Sequence, residues 1–296
     1  MPHTPTHDFS IRLNFSPESE RPERVFQSMT SLTLAMKHLD TLLANSINAH
    51  IDSHILLSEI QGGSIISKFK SILRKVDDED LRNLNIKRIL GKFLVDAKHK
   101  ILSETNQLQK IKTDKDISNI ISLVENLKKE FEIYNSLNSR PISHKNLLKI
   151  LQEISNSLSV LELDDTVTIE SKEKKTPFNR NFILTDEDIE SILTAKSETK
   201  RTTLQLKVKK PDYLGKSKWV CKSRYGQMEI KIMDNPWLKD FQNTKEVLLP
   251  GDSIRAIIET SVQYDHQGNE LNITHYLIEV LEIIRGHPEI QMQLPY

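Results

Sequence analysis

The sequence predicts an α+β protein, with an N-terminal strand-helix-hairpin unit, a helical extension and a C-terminal small all-β barrel of SH3-like or OB-like type. Three observations predict it. Apolar residues recur at three- and four-residue steps over long N-terminal stretches, as on a helix with one buried face. Beyond residue 202 the period shortens to two, the signature of half-buried strands. Five of the eight glycines (215, 226, 251, 268, 286) lie beyond residue 200, where turn-dense folds use them and long helices do not.

Residues 1–8 read as a disordered polar lead. Phe9, Ile11, Leu13 and Phe15 then alternate with Ser10, Arg12 and Asn14, which predicts a strand. Pro17 and Pro22 break it, and Pro22 suits the first turn of a following helix. Val25, Met29, Leu32, Met36, Leu39, Leu43 and Ile47 form the clearest apolar stripe in the chain. Residues 54–60 and 65–69 read as a hairpin turning through Gln61-Gly62-Gly63-Ser64.

Three helices are predicted near 80–104, 114–135 and 143–160, giving a mixed domain over 9–160. Asp77-Asp78-Glu79-Asp80 opens the first, because acidic side chains favour the positive end of a helix. Ser143 is a suitable N-cap for the third. Residues 161–201 read as a linker. It holds a polar stretch or exposed hairpin at 162–181, a short helix opened by the capping box Thr185-Asp186-Glu187-Asp188, and a polar break at 196–201.

The barrel spans 202–285, and 286–296 is a tail. Leu204, Leu206 and Val208 alternate with polar residues, and Pro211-Asp212-Tyr213-Leu214-Gly215 is turn chemistry. Strands follow near 218–221 and 228–232. A short helical excursion runs over 235–241, and two further strands flank the His266-Gln267-Gly268-Asn269 tip.

Bulk composition excludes several function classes. The 296 residues carry 41 Lys plus Arg and 41 Asp plus Glu, so anion binding needs a local patch. The single cysteine, Cys221, rules out an intramolecular disulfide and a cysteine-based zinc site. The N-terminus has no secretory pattern, and no apolar run is long enough to span a bilayer, so the expected setting is cytoplasmic without membrane contact.

Catalytic and metal constellations are weak. His3 and His7 sit in a proline-broken tail, and His50 and His54 run into a predicted strand, where a spacing of four spreads ligands apart. Cys221 reads as a small buried hydrophobe. There is no G-x-S-x-G elbow, Gly62-Gly63-Ser64 lacks a P-loop lysine, and Arg140…His144 is too closely spaced for a helical nuclease motif. No catalytic residue, metal or cofactor is expected.

One patch carries chemistry. Lys207, Lys209, Lys210, Lys216, Lys218, Lys222 and Arg224 lie within eighteen residues, interleaved with Tyr213, Trp219 and Tyr225. Cations that track phosphates, with aromatics that stack on bases, serve single-stranded nucleic acid on small barrels. Lysines on an outward strand face also keep edges soluble, and Trp219 also fits a core position. The candidate surface is therefore Lys207, Lys209, Lys210, Tyr213, Lys218, Trp219, Lys222 and Arg224.

Val208-Lys209-Lys210-Pro211, Lys218-Trp219-Val220, Met228–Ile232, Asp234, Trp237-Leu238 and Pro250-Gly251-Asp252-Ser253-Ile254-Arg255 together resemble a β module of uncharacterised bacterial proteins. Glu59-Ile60-Gln61-Gly62-Gly63-Ser64 looks like a hairpin common in the same proteins. The resemblance implies phage-defence or mobile-element loci and no catalytic residues. The expected function is a non-enzymatic accessory or sensor component of such a system. It would act on a protein partner from a neighbouring gene, with nucleic-acid binding through the barrel as the alternative. The stripe of the 22–47 helix could equally serve a homo-oligomer.

Overall fold

The computed structural model describes residues 7–16, 20–47, 52–61, 65–74, 84–133, 139–215 and 217–286, with side chains set aside at 7, 52–61, 70–74 and 84–87. Two compact units divide the chain at residues 193 and 194.

In the first unit, β1 (His7–Asn14) lies inside an antiparallel sheet of order β2-β3-β1-β4-β5, with β2 (Asp52–Gln61), β3 (Ile65–Arg74), β4 (Thr166–Ser171) and β5 (Lys175–Pro177). Period two sets which face is buried. Phe9 faces Phe69 across β3, while Ile11 and Leu13 face Ile169 and Val167 across β4, and all six are buried. The opposite face is polar, and there Arg12 donates to Glu170 at 3.0 Å.

Helix α1 (Glu23–Ile47) buries its predicted stripe, with Met36 against Phe9, Ile11 and Phe69. Each such side chain contributes about 1.5–3 kcal/mol. The end of α1 is fixed from outside the helix. The Ser46 carbonyl accepts from Arg140 N at 2.9 Å, Ser139 Oγ at 3.1 Å and the buried Lys128 Nζ at 3.3 Å. These bonds satisfy a carbonyl that a helix terminus leaves without an internal partner.

The predicted helices become α2 (Leu84–Gln107), α3 (Asp114–Glu130) and α4 (His144–Ser159), with Ser143 capping α4 as expected. The acidic run 77–80, the turn at 62–64 and the lead at 1–6 lie outside the described residues, as do His3 and His50. Of the two expectations for residues 162–181, linker or exposed hairpin, the structure has a hairpin, and its first strand joins the sheet. These residues supply β4 and β5, because Val167 and Ile169 alternate with threonines and fit beside β1. Helix α5 (Asp186–Leu193) starts at the predicted capping box, with Asp188 N donating to Thr185 Oγ1.

The second unit is a closed barrel of order β10-β8-β7-β6-β9. Its strands are β6 (Lys196–Lys210), β7 (Trp219–Ser223), β8 (Gly226–Ile232), β9 (Ser253–Tyr264) and β10 (Glu270–Ile284). Helix α6 (Asn235–Gln242) stands between β8 and β9, and β10 runs parallel to β8. Counted from β6, the ring reads 1-2-3-5-4 with a helix between the third and fourth strands, which is OB-type connectivity. Of the two barrel types expected, the strand order selects this one.

Residues 196–201 were expected to be a polar break but belong to the exposed start of β6, hydrogen-bonded along β9. The barrel core is apolar, from Leu204 and Leu206 through Ile230, Ile254, Ala256 and Leu277. One end is filled by aromatics: Trp219 lies 4.9 Å from Phe241 and 5.8 Å from Trp237, ring centre to ring centre.

Candidate nucleic-acid interface

Beyond Leu204 the outward side chains are the odd-numbered ones on β6 and the even-numbered ones on β7, and this is where the cations gather. In register, Lys207 stands directly opposite Lys222 and also opposite Ser253 of β9. Like charges facing each other across two strands oppose pairing. Among the described residues, neither lysine forms an ion pair or side-chain hydrogen bond. Both line a cleft of about 530 Å³ with Arg224, Thr203, Gln205 and Ser253. The cleft thus offers three cations surrounded by hydroxyl and amide groups, a set that suits phosphate oxygens.

Arg224 is aimed by its neighbour. Its guanidinium lies 4.6 Å from the Tyr225 ring centre and donates to the Tyr225 hydroxyl. The turn between β7 and β8 is held by Ser223 Oγ, which accepts from Tyr225 N at 3.1 Å, and by Gly226 at φ 118°. That φ belongs to the region glycine enters without strain.

The other sequence-predicted residues separate into two groups. Lys209 stays near the cleft and donates to Gln227 at 2.9 Å. Lys210, Tyr213 and Lys218 belong to the other end of the barrel, around the β6–β7 loop, and do not line the cleft. There Asp212 organises the loop. Its carboxylate accepts from the Ser217 hydroxyl and from the N–H groups of Ser217, Leu214 and Gly215, which hold it well below the usual carboxylate range. Tyr213 stacks on Phe241 at 5.1 Å. Lys216 lies outside the described residues.

Trp219 is a correction. It was a candidate surface aromatic, but it is 1% exposed inside the aromatic cluster. Lys222 faces out, so period two turns Cys221 and Trp219 inward. Cys221 is buried as well, and burial pushes its thiol up to about 12, away from nucleophilic chemistry. Sequence reasoning missed Thr203, Gln205 and Ser253, whose place in the cleft follows from strand register.

It also missed a cleft of about 690 Å³ in the first unit, lined by His99, Asp96, Lys100, Asn126 and Lys174. His99 Nδ1 lies 2.7 Å from Thr176 Oγ1, and Nε2 lies 3.1 Å from Ser171 Oγ. Burial, reinforced by Lys174, lowers its pKa to about 4, so the ring is neutral. A hydroxyl stands where a nucleophile-activating histidine would need a carboxylate to orient it, so the arrangement does not complete a catalytic triad.

Among the described residues, no cluster of His, Cys, Asp or Glu is placed to hold a metal ion, and no helix is long and apolar enough to cross a membrane. Comparison of the chain with protein-family models, curated proteins and solved structures yields no match.

Proposed function

We propose that the barrel binds nucleic acid, with the sugar–phosphate backbone seated in the Lys207–Lys222–Arg224 cleft. One observation carries the reading: two lysines directly opposite each other, without counter-charge, share a cleft with an arginine. The chain's net charge is zero, so the attraction is local to this cleft. OB-type barrels present such surfaces to oligonucleotides, which supports the reading.

The test is equilibrium binding of a fluorescent oligonucleotide to the full chain over a salt series. Binding should weaken as salt rises. The double variant Lys207→Gln, Lys222→Gln should flatten the slope of log K against log salt by about 0.7 for each lysine removed. Binding that ignores salt, or a slope unchanged in the variant, would remove this function.

A second reading, a non-enzymatic accessory component acting on a protein partner, is favoured by the β6–β7 loop. Leu214 there is 98% exposed beside the half-exposed Tyr213, on a loop stiffened by Asp212. Exposed apolar side chains on an ordered loop suit a protein surface. A placement in phage-defence loci draws on sequence resemblance alone. Loss of co-purification with neighbouring gene products in Leu214→Ser would favour this second reading.

A further inference from the structure

We infer that Tyr225, steadied by Arg224, is a stacking platform for one unpaired base, which makes the barrel's ligand a single strand engaged at the β7–β8 turn. The inference rests on the nucleic-acid reading above and adds what is recognised and where.

The outward faces of β7 and β8 argue the location by exclusion. Their outward positions are Val220, Lys222, Gln227, Glu229 and Lys231. None is aromatic, so beyond the cations Lys222 and Lys231 these faces offer a base no ring to stack on. The aromatic expected on this face, Trp219, is inside the barrel.

The turn supplies what the face lacks. Tyr225 is 69% exposed although Arg224 already covers part of its ring, so the remaining ring surface is open. Exposure alone would mean little, but this side chain is held. Its backbone N–H is bonded to Ser223, the following residue is Gly226 at positive φ, and the Arg224 guanidinium both lies against the ring and bonds its hydroxyl. Arg224 also lines the cleft, so it joins the ring to the cations. A phosphate in the cleft and a base on the ring are therefore neighbours along one strand. A duplex hides the faces of its bases in its own stack, so only an unpaired base can meet the ring. The cleft, about 530 Å³, has the size of a small-molecule site rather than of a groove for a duplex.

Anisotropy titrations of the full chain against a short oligothymidylate, an abasic strand of equal length and a matched duplex test the proposal. Tyr225→Leu should weaken oligothymidylate binding by about 5- to 150-fold, the range for losing one stacked base. The same change should leave the abasic strand and the duplex within about twofold, and Tyr225→Phe should retain most of the affinity. An unchanged oligothymidylate affinity in Tyr225→Leu overturns the platform. If Lys207→Gln with Lys222→Gln still weakens binding, the phosphate cleft survives that result. Equal losses on thymidine and abasic strands also overturn it, because the ring would then serve the backbone. If neither variant changes binding, both readings fall.

Discussion

The two units handle charge in opposite ways. The N-terminal unit buries several ionic groups and pairs them. Arg24 and Asp165 form a two-pronged bridge at 2.8 and 3.0 Å with both side chains fully buried. Lys98 meets Asp40 in the interior and lies 4.5 Å from the Phe9 ring centre, while Lys128 turns inward onto carbonyl oxygens. The barrel instead keeps an apolar core and leaves Lys207 and Lys222 outside without partners. Charges in the first unit specify how helices meet. The first unit pairs the cations that it buries, whereas Lys207 and Lys222 face each other in solvent, where like charges oppose pairing.

The largest effects test the first half of that contrast. Asp40→Ala leaves Lys98 buried without its counter-charge and should cost about 3–5 kcal/mol, whereas replacing both by Leu and Met should recover most of the loss. Both tryptophans, Trp219 and Trp237, lie in the barrel, so their emission follows that unit, while the helical circular dichroism signal is dominated by the other. In Asp40→Ala the helical transition should come earlier in urea and the emission transition should hold. Phe241→Ala, which opens the aromatic end of the barrel, should cost about 3–5 kcal/mol and do the reverse. Transitions that move together in both variants would mean the units unfold as one.

Much of this architecture was legible in the sequence, and its gaps have physical causes. The α1 stripe and the alternation in β1 and β9 were visible because one face of each is buried in a regular period. The place of β4 inside the sheet was missed, and 162–181 read as linker or exposed hairpin, because Val167 and Ile169 are flanked by lysines and glutamates whose polarity outweighed two buried positions. The start of β6 was lost because it buries nothing, and backbone pairing to β9 alone makes it a strand. Of the candidate site, Lys207, Lys222 and Arg224 were found by clustering. That Lys207 and Lys222 stand opposite each other depends on register, and His99 meets partners 72 and 77 residues downstream, which no local pattern encodes.

His99 extends the contrast to a neutral buried group. In the folded chain it stays unprotonated down to about pH 4, while in the unfolded chain it takes up a proton near 6.5. Between those values the unfolded state binds the additional proton, so stability is full above about 6.5 and declines as pH falls toward 4, by at most about 3 kcal/mol. The helical urea transition measured across that window should show the decline, and His99→Gln should reduce its steepness. A pH dependence equally steep in the variant would place the titrating group elsewhere.

The smallest expected effect bears most directly on function. If Lys207 and Lys222 are held together for a ligand, their repulsion is a standing cost to the free barrel. Lys222→Gln should then raise barrel stability by about 0.2–1 kcal/mol, read from the emission transition, because it removes one of two like charges from directly opposite positions. The gain should shrink as salt screens the pair. The same variant should bind oligonucleotide less tightly, so stability and affinity would move in opposite directions. A lysine that merely solubilises a strand face gives no such opposition: its removal relieves the same repulsion and leaves oligonucleotide affinity unchanged. Opposed signs in one variant would therefore mark this pair as kept for binding and at some expense to folding, the reverse of Asp40 and Lys98, where removing one charge alone costs the fold.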